Sequence, residues 1–204
     1  MSGKGSFARA LEILRKGGPR PTDVGLVQWL GSRGEALGKS RHFINIASVG
    51  YPALVVQRVL ARKGWIAKSK VGKSAWAYIA HSASAMKEYK PLEVSITADG
   101  VEAFRGQLFS AFLLNGVYNG GGVRWSNEAS LEDGKLDLLA LEPQGLAAQL
   151  TSGGRMLSGK WAGAKGAHLT SGRVIEVRQS GGEDRTHPLF ELDGDLPEPP
   201  GTFG

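Results

Sequence analysis

Apolar residues at Phe7, Leu11 and Leu14 recur at helical spacing, so residues 6–16 are expected to form a short amphipathic helix that Gly17, Gly18 and Pro19 end. DVGLVQWL at 23–30 is short, apolar and β-branched, which suits a strand, and HFINIASV at 42–49 is a second candidate. The stretch between them, 31–40, is rich in Gly and Ser and reads as a loop. After Pro52 the positions Leu54, Val55, Val59 and Leu60 predict a helix over 53–63, closed by Gly64. A further helix is expected over 74–88, ahead of Pro91.

From residue 92 the period changes. Leu92, Val94, Ile96 and Ala98 alternate with Glu93, Ser95 and Thr97, the mark of a half-buried strand. Asp99-Gly100 follows, and this dipeptide supplies the positive φ angles of a type I′ turn, so 92–106 is expected to be a hairpin. The nearly continuous apolar run 107–116 reads as one buried strand, and 135–142, 173–179 and 187–194 add three more. A helix over 144–157 would be weakened by the TSGG at 151–154. The expected fold class is β-rich α+β, a two-sheet β-sandwich with two or three flanking helices and no internal repeat.

Composition narrows the partners. The chain has 204 residues, a formal charge of +6 and no cysteine, which excludes disulfides and thiolate metal sites. No apolar stretch approaches the roughly 18 to 20 residues that cross a bilayer, and the N-terminal residues lack the apolar core of a secretory signal. A cytoplasmic location is the resulting expectation. Arg58, Arg62, Lys63, Lys68, Lys70 and Lys73 form a local basic excess around Trp65 and Ile66. Two readings stand open: a solvated helix face and loop, or a surface meeting anionic lipid, where an amphipathic ring beside Lys and Arg suits the interface. Nothing accompanies the charge that would indicate nucleic acid, such as an aromatic RNP-type pattern or a zinc finger.

Gly38-Lys39-Ser40 and Gly72-Lys73-Ser74 contain the GKS of a phosphate-binding loop, but the required earlier glycine is replaced by Arg33 and Ala67, so both are expected to be ordinary loops. His42, His81, His168 and His187 show no metal-ligand spacing. The segment NGVYNGGG at 115–122 is more telling, since consecutive glycines after a buried strand carry a conformational cost unless the backbone needs unusual angles or close approach. It precedes an acidic turn, EASLEDGKLD at 128–137, in which Asp133-Gly134 could turn a carboxylate and carbonyls toward one hard cation such as Mg²⁺.

Taken in order, GKGSFARAL (3–11), DVGLV (23–27), RHFINIASVGYPALVV (41–56), the hairpin at 92–106, FLLNGVYNGGGVRWSNEASLEDGKLDLLAL (112–141) and FELDGD (190–195) resemble the diacylglycerol kinase catalytic family, which includes soluble bacterial lipid kinases and sphingosine and ceramide kinases. The resemblance implies the C-terminal, lipid-side domain of the diacylglycerol kinase/NAD kinase-like fold, and ATP-dependent phosphorylation of a lipid hydroxyl such as that of diacylglycerol. It implies that Asp195 is the catalytic base, at a position where the family usually has Glu. It also implies a Mg²⁺ held by the side chain of Asp133 and the backbone carbonyls of Ser130 and Lys135. By the same analogy Leu54, Val55, Val59, Trp65 and Ile79 would face lipid, against the simpler reading of core packing. Peripheral membrane association and a lipid partner follow.

The family's Gly-Gly-Asp-Gly-Thr nucleotide loop does not occur in this sequence. Residues 1–22 are accordingly expected to be a remnant of the junction with a nucleotide domain, 23–196 the lipid-binding and catalytic domain, and 197–204 a disordered or truncated tail. ATP would then be a co-substrate whose site lies mostly elsewhere, on a separate nucleotide-binding domain, with a homodimer as a further possible assembly. Three functions are compatible with these residues: a lipid kinase piece, a non-catalytic lipid-binding or regulatory module, and one subunit of a split kinase.

Overall fold

The computed structural model describes residues 3–61, 86, 89–119, 123–145, 155, 158–180 and 189–197. Helix α1 (Gly3–Lys16) is followed by strands β1 (Gly25–Leu30), β2 (Ala36–Phe43) and β3 (Ile46–Gly50), then by helix α2 (Tyr51–Ala61). Strands β4 (Leu92–Ala98), β5 (Val101–Leu108), β6 (Ser110–Leu114), β7 (Tyr118–Asn119), β8 (Val123–Arg124) and β9 (Leu136–Leu141) come next. The last three are β10 (Ala167–Gly172), β11 (Ile175–Gln179) and β12 (Phe190–Leu192).

Two sheets make the sandwich. One has five strands in the order β10-β9-β6-β3-β12 and the other three, β11-β4-β5; the pairs β1-β2 and β7-β8 form two smaller ribbons. All pairings among the described residues are antiparallel. The alternating side chains of β4 and β5 place Val94, Ile96, Phe104 and Leu108 in one buried cluster with Val49, Ala111, Leu138 and Ala140 of the larger sheet. Removing this apolar surface from water is the main stabilising contribution to the interface between the sheets. The same face of the larger sheet continues under the β1-β2 ribbon, where Phe43, Ala47 and Leu192 pack with Val27, Leu113 and Phe190. On the opposite face, Ile46, Phe112, Leu114 and Leu139 are covered by Trp125, Ala129 and Trp161. The larger sheet is thus buried on both faces.

The hairpin expected from Asp99-Gly100 is present, with φ of 49° and 81° at its two central residues. The Asp99 carboxylate accepts hydrogen bonds from the backbone N–H groups of Arg173 and Val174, which ties the turn to the start of β11.

Four expectations are corrected. Residues 36–40 are not loop: they belong to β2, and Gly38-Lys39-Ser40 lies in that strand, because pairing with β1 leaves most of its side chains exposed and tolerates polar composition. The span 42–49 is two strands, broken at Ile44 and Asn45. The run 107–116 turns a corner at Phe109, so its two halves serve different sheets. Residues 144 and 145 are not helical. Strand β10 was not anticipated. The helix expected over 74–88, apart from residue 86, and most of that over 144–157 fall outside the described residues, as do Gly120–Gly122 and the tail from 198.

Candidate functional site

Antiparallel pairing brings four strand ends to one end of the larger sheet: the start of β3, the end of β6, the start of β9 and the end of β12. The expected catalytic residue and the expected metal turn both lie there.

Asp195 follows β12 in a tight two-residue turn. Leu192 and Asp195 exchange backbone hydrogen bonds of 2.9 and 2.8 Å, and the residues between them have positive φ, 49° at Asp193 and 88° at Gly194. The turn is anchored outward by Asp193, whose carboxylate accepts the N–H groups of Ile44 (2.7 Å), Asn45 (3.0 Å) and Ile46 (2.9 Å). It is anchored inward by Glu191, whose Oε2 accepts the Gly194 N–H at 2.7 Å while Oε1 accepts the Ser48 hydroxyl at 2.7 Å. Glu191 is only 5% exposed, and burial pushes its carboxyl above the usual range, with Asp193 and Asp195 adding to the shift and the two hydrogen bonds opposing it. The Asp195 side chain is exposed.

The loop of residues 44 and 45 links this turn to Asn115. Asn115 is buried; its Nδ2 donates to the carbonyls of Ile44 (2.6 Å) and Asp23 (2.8 Å), and its backbone N–H donates to Asn45. Asp23 in turn reaches the acidic turn: its N–H donates to the Leu131 carbonyl at 2.7 Å, and its Oδ2 accepts the Gly134 N–H at 2.7 Å. A continuous hydrogen-bonded path therefore joins the Asp195 turn to the Asp133 turn through three intervening segments that are distant in sequence: residues 44–46, Asn115 and Asp23.

Within the acidic turn, Asp133 is exposed and its Oδ1 accepts the Lys135 N–H at 3.0 Å, while the Ser130 hydroxyl accepts from Glu132 N–H. Asp137 is held by the Ser126 hydroxyl at 3.0 Å. Burial raises the Asp137 carboxyl above its ordinary value, and the negative charges of Asp133 and Glu128 raise it further. The exposed Asp133 carboxylate lies in the negative field of Asp137 and Glu128, and carboxylate oxygen is a donor that a hard divalent cation takes. Among the described residues no three His, Asp or Glu side chains converge into a ready-made cage, so any ion here depends on carbonyl and water oxygens.

Of the residues expected to face lipid, Leu54 is half-buried and Val55 buried within α2. The Val59 side chain, Trp65 and Ile79 fall outside the described residues. The residues that build the site but were not singled out beforehand are Asp23, Asn115 as a side chain, Asp193 and Glu191. The Asp193-Gly194 dipeptide carried the same turn signal as Asp99-Gly100; the other three had no local signal.

Residues 45–202 match the model of the YegS C-terminal NAD kinase beta sandwich-like domain. The chain belongs to that family. Solved structures with the same fold include a diacylglycerol kinase from Bacillus anthracis str. Sterne, with a TM-score of 0.57 and 15% identity over 96% of this chain. A second structure from that organism, whose diacylglycerol kinase description is provisional, gives a TM-score of 0.56 and 19% identity over 94% of this chain. The chain spans 54% of the length of each. No curated protein gives a significant match. The chain is thus a YegS-type C-terminal, NAD kinase β-sandwich-like domain, with the β-sandwich expected from its sequence pattern. None of its described helices is long and apolar enough to cross a membrane.

Proposed function

We propose that this domain is the lipid-side half of a lipid kinase that transfers the γ-phosphoryl group of ATP to the hydroxyl of a lipid such as diacylglycerol. The reading is carried by one observation: the Asp195 turn and the acidic Asp133 turn lie at the same end of the sheet, joined through Asp193, the 44–45 loop, Asn115 and Asp23. In this reading residues 23–196 form the lipid-binding and catalytic unit, with the half-buried Leu54 toward the lipid and Val55, 1% exposed, packed in the core behind it. The exposed Asp195 carboxylate accepts the proton of the lipid hydroxyl as its oxygen attacks the γ-phosphorus, and the bond to the departing ADP oxygen breaks. Asp133, with the carbonyls of Ser130 and Lys135, would hold a Mg²⁺ that orders the turn. Asp is one methylene shorter than Glu, so the turn must set the carboxylate forward; an error of about 1 Å costs on the order of 100-fold in rate.

ATP is assigned to a separate nucleotide-binding domain. Support comes from α1, where Phe7, Leu11 and Leu14 are 67%, 47% and 77% exposed and present an uncovered apolar stripe that a second domain can cover. The reading further places the protein in the cytoplasm, at the membrane surface.

The test is transfer of labelled phosphate from ATP, with Mg²⁺, to liposomes containing diacylglycerol, sphingosine, ceramide and phosphatidylglycerol. It is run on the chain alone and with a nucleotide-binding domain added, and Asp195→Asn is the control. Label in lipid only with the added domain, lost in the control, is the expected result. Transfer that survives Asp195→Asn would remove Asp195 from the reaction, and absence of both transfer and liposome binding under every condition would overturn the reading. Separately, Mg²⁺ should raise the melting temperature of the wild-type chain and not that of Asp133→Ala.

A further inference from the structure

We infer that Glu191 is a positioning residue that sets the turn presenting Asp195. The inference rests on the lipid-kinase reading for the purpose of Asp195, but its structural content stands apart from activity. Glu191 lies directly opposite Ser48 in the β12-β3 pairing, and both side chains are buried, at 5% and 0% exposure. Each carboxylate oxygen accepts one hydrogen bond, from the Ser48 hydroxyl on the neighbouring strand and from the backbone N–H of Gly194. Gly194 is the second central residue of the turn and the residue immediately before Asp195. The buried carboxylate therefore fixes the peptide unit from which the Asp195 backbone continues, while Asp193 fixes the preceding residue from the other side.

A carboxylate is an expensive group to bury for packing alone, since an apolar residue of similar size fills the same space without desolvating a charge. What Glu191 provides that such a residue cannot is a charged acceptor aimed at the Gly194 N–H, a bond stronger than its neutral counterpart. The ionic groups that act on it are Asp193 and Asp195 on its own turn. Strand β3 faces it with Ser48, and the ionic residue of α2, which packs on β3 and β12, is Arg58. With its protonation shifted upward by burial, Glu191 loses its charge as pH falls, and that loss would weaken the hold on Gly194.

The experiment is amide NMR on the ¹⁵N-labelled chain and needs no catalysis, so failed phosphoryl transfer would count against the kinase reading and not against this one. In Glu191→Ala, the Gly194 and Asp195 amides should exchange with solvent faster by about tenfold or more. The Ile44, Asn45 and Ile46 amides, held by Asp193, should keep their wild-type rates and report an intact fold. On titration, the wild-type Gly194 amide should shift with a midpoint above the ordinary glutamate range, and that transition should vanish in Glu191→Gln, which keeps the shape and loses the charge. Wild-type exchange at Gly194 and Asp195 in the Ala variant would overturn the inference, as would an unchanged titration in the Gln variant. Should the Ala variant not fold, the titration decides alone.

Discussion

Replacing Asp193 tests the construction of the site at its outer anchor. The carboxylate serves three amides, of which that of Ile46 is half-buried and those of Ile44 and Asn45 are exposed. Losing the half-buried bond costs about 1 kcal/mol, and each exposed bond roughly half that. Asp193 also holds φ at 49°, where an alanine carries an added cost of about 1 kcal/mol. Asp193→Ala is therefore expected to lose about 3 kcal/mol, a large part of the stability of a domain this size. Asp193→Gly removes the backbone penalty but keeps the loss of bonds, so about 2 kcal/mol is expected. Asp193→Asn retains the oxygen that serves Asn45 and Ile46 and tolerates the left-handed conformation, so its loss should stay below about 1 kcal/mol. Urea denaturation read by far-ultraviolet circular dichroism, with unchanged m-values, gives these differences. The order Asn, Gly, Ala is the diagnostic outcome. Equal losses for Gly and Ala would refute the backbone part of the reasoning, and an Ala variant within about 0.5 kcal/mol of wild type would refute the anchoring itself.

Three further outcomes follow from the same geometry. Because the Glu191 carboxyl is raised in the folded state, that state binds the proton more tightly than the unfolded chain does; the residue's contribution to stability falls as pH rises from its ordinary value through the raised one, and Glu191→Gln should abolish this slope in pH-dependent urea titrations. A methyl group at Gly25 would overlap the ring of Phe43, which is 2% exposed and cannot swing away, so Gly25→Ala should cost about 1–3 kcal/mol in thermal or chemical denaturation. Trp125 lies between Phe112 and Trp161, with the two indole planes only 4° apart, so Trp161→Ala should lose about 3–5 kcal/mol together with much of the near-ultraviolet circular dichroism.

What could be read from the sequence was whatever has a local cause. The β4-β5 hairpin was legible because alternation and an Asp-Gly turn both act within a few residues. The corner at Phe109 was not, since a continuous apolar run looks the same whether it serves one sheet or two. Strand β2 was hidden by its Gly, Ser and Lys content, and its order comes from the partner strand β1. Strand β10 is an edge strand with several exposed side chains, so neither periodicity nor composition marks it. At the candidate site, Asp133 and Asp195 were found through motif resemblance. Asp23 and Asn115 act on residues about 70 to 110 positions away, and no window along the chain contains both partners. Glu191 was the most deceptive, because Phe-Glu-Leu in a strand suggests that the acid points to water. Here both faces of the sheet are covered, and the acid goes inside.

The Asp-Gly turns also bear on how long the protein survives chemically. An Asp-Gly bond ages when the glycine nitrogen attacks the neighbouring aspartyl carboxyl, closing a succinimide ring that reopens largely to isoaspartate and inserts an extra methylene into the backbone. In two of the three such turns that nitrogen is engaged by the carboxylate of another residue: Gly134 by Asp23 and Gly194 by Glu191. Attack requires that bond to break and the aspartyl side chain to leave its own partners, the Lys135 amide for Asp133 and the 44–46 amides for Asp193. The contacts that shape the two turns thus also slow the reaction that would destroy them, so the parts of the backbone on which the candidate site depends are shielded against age.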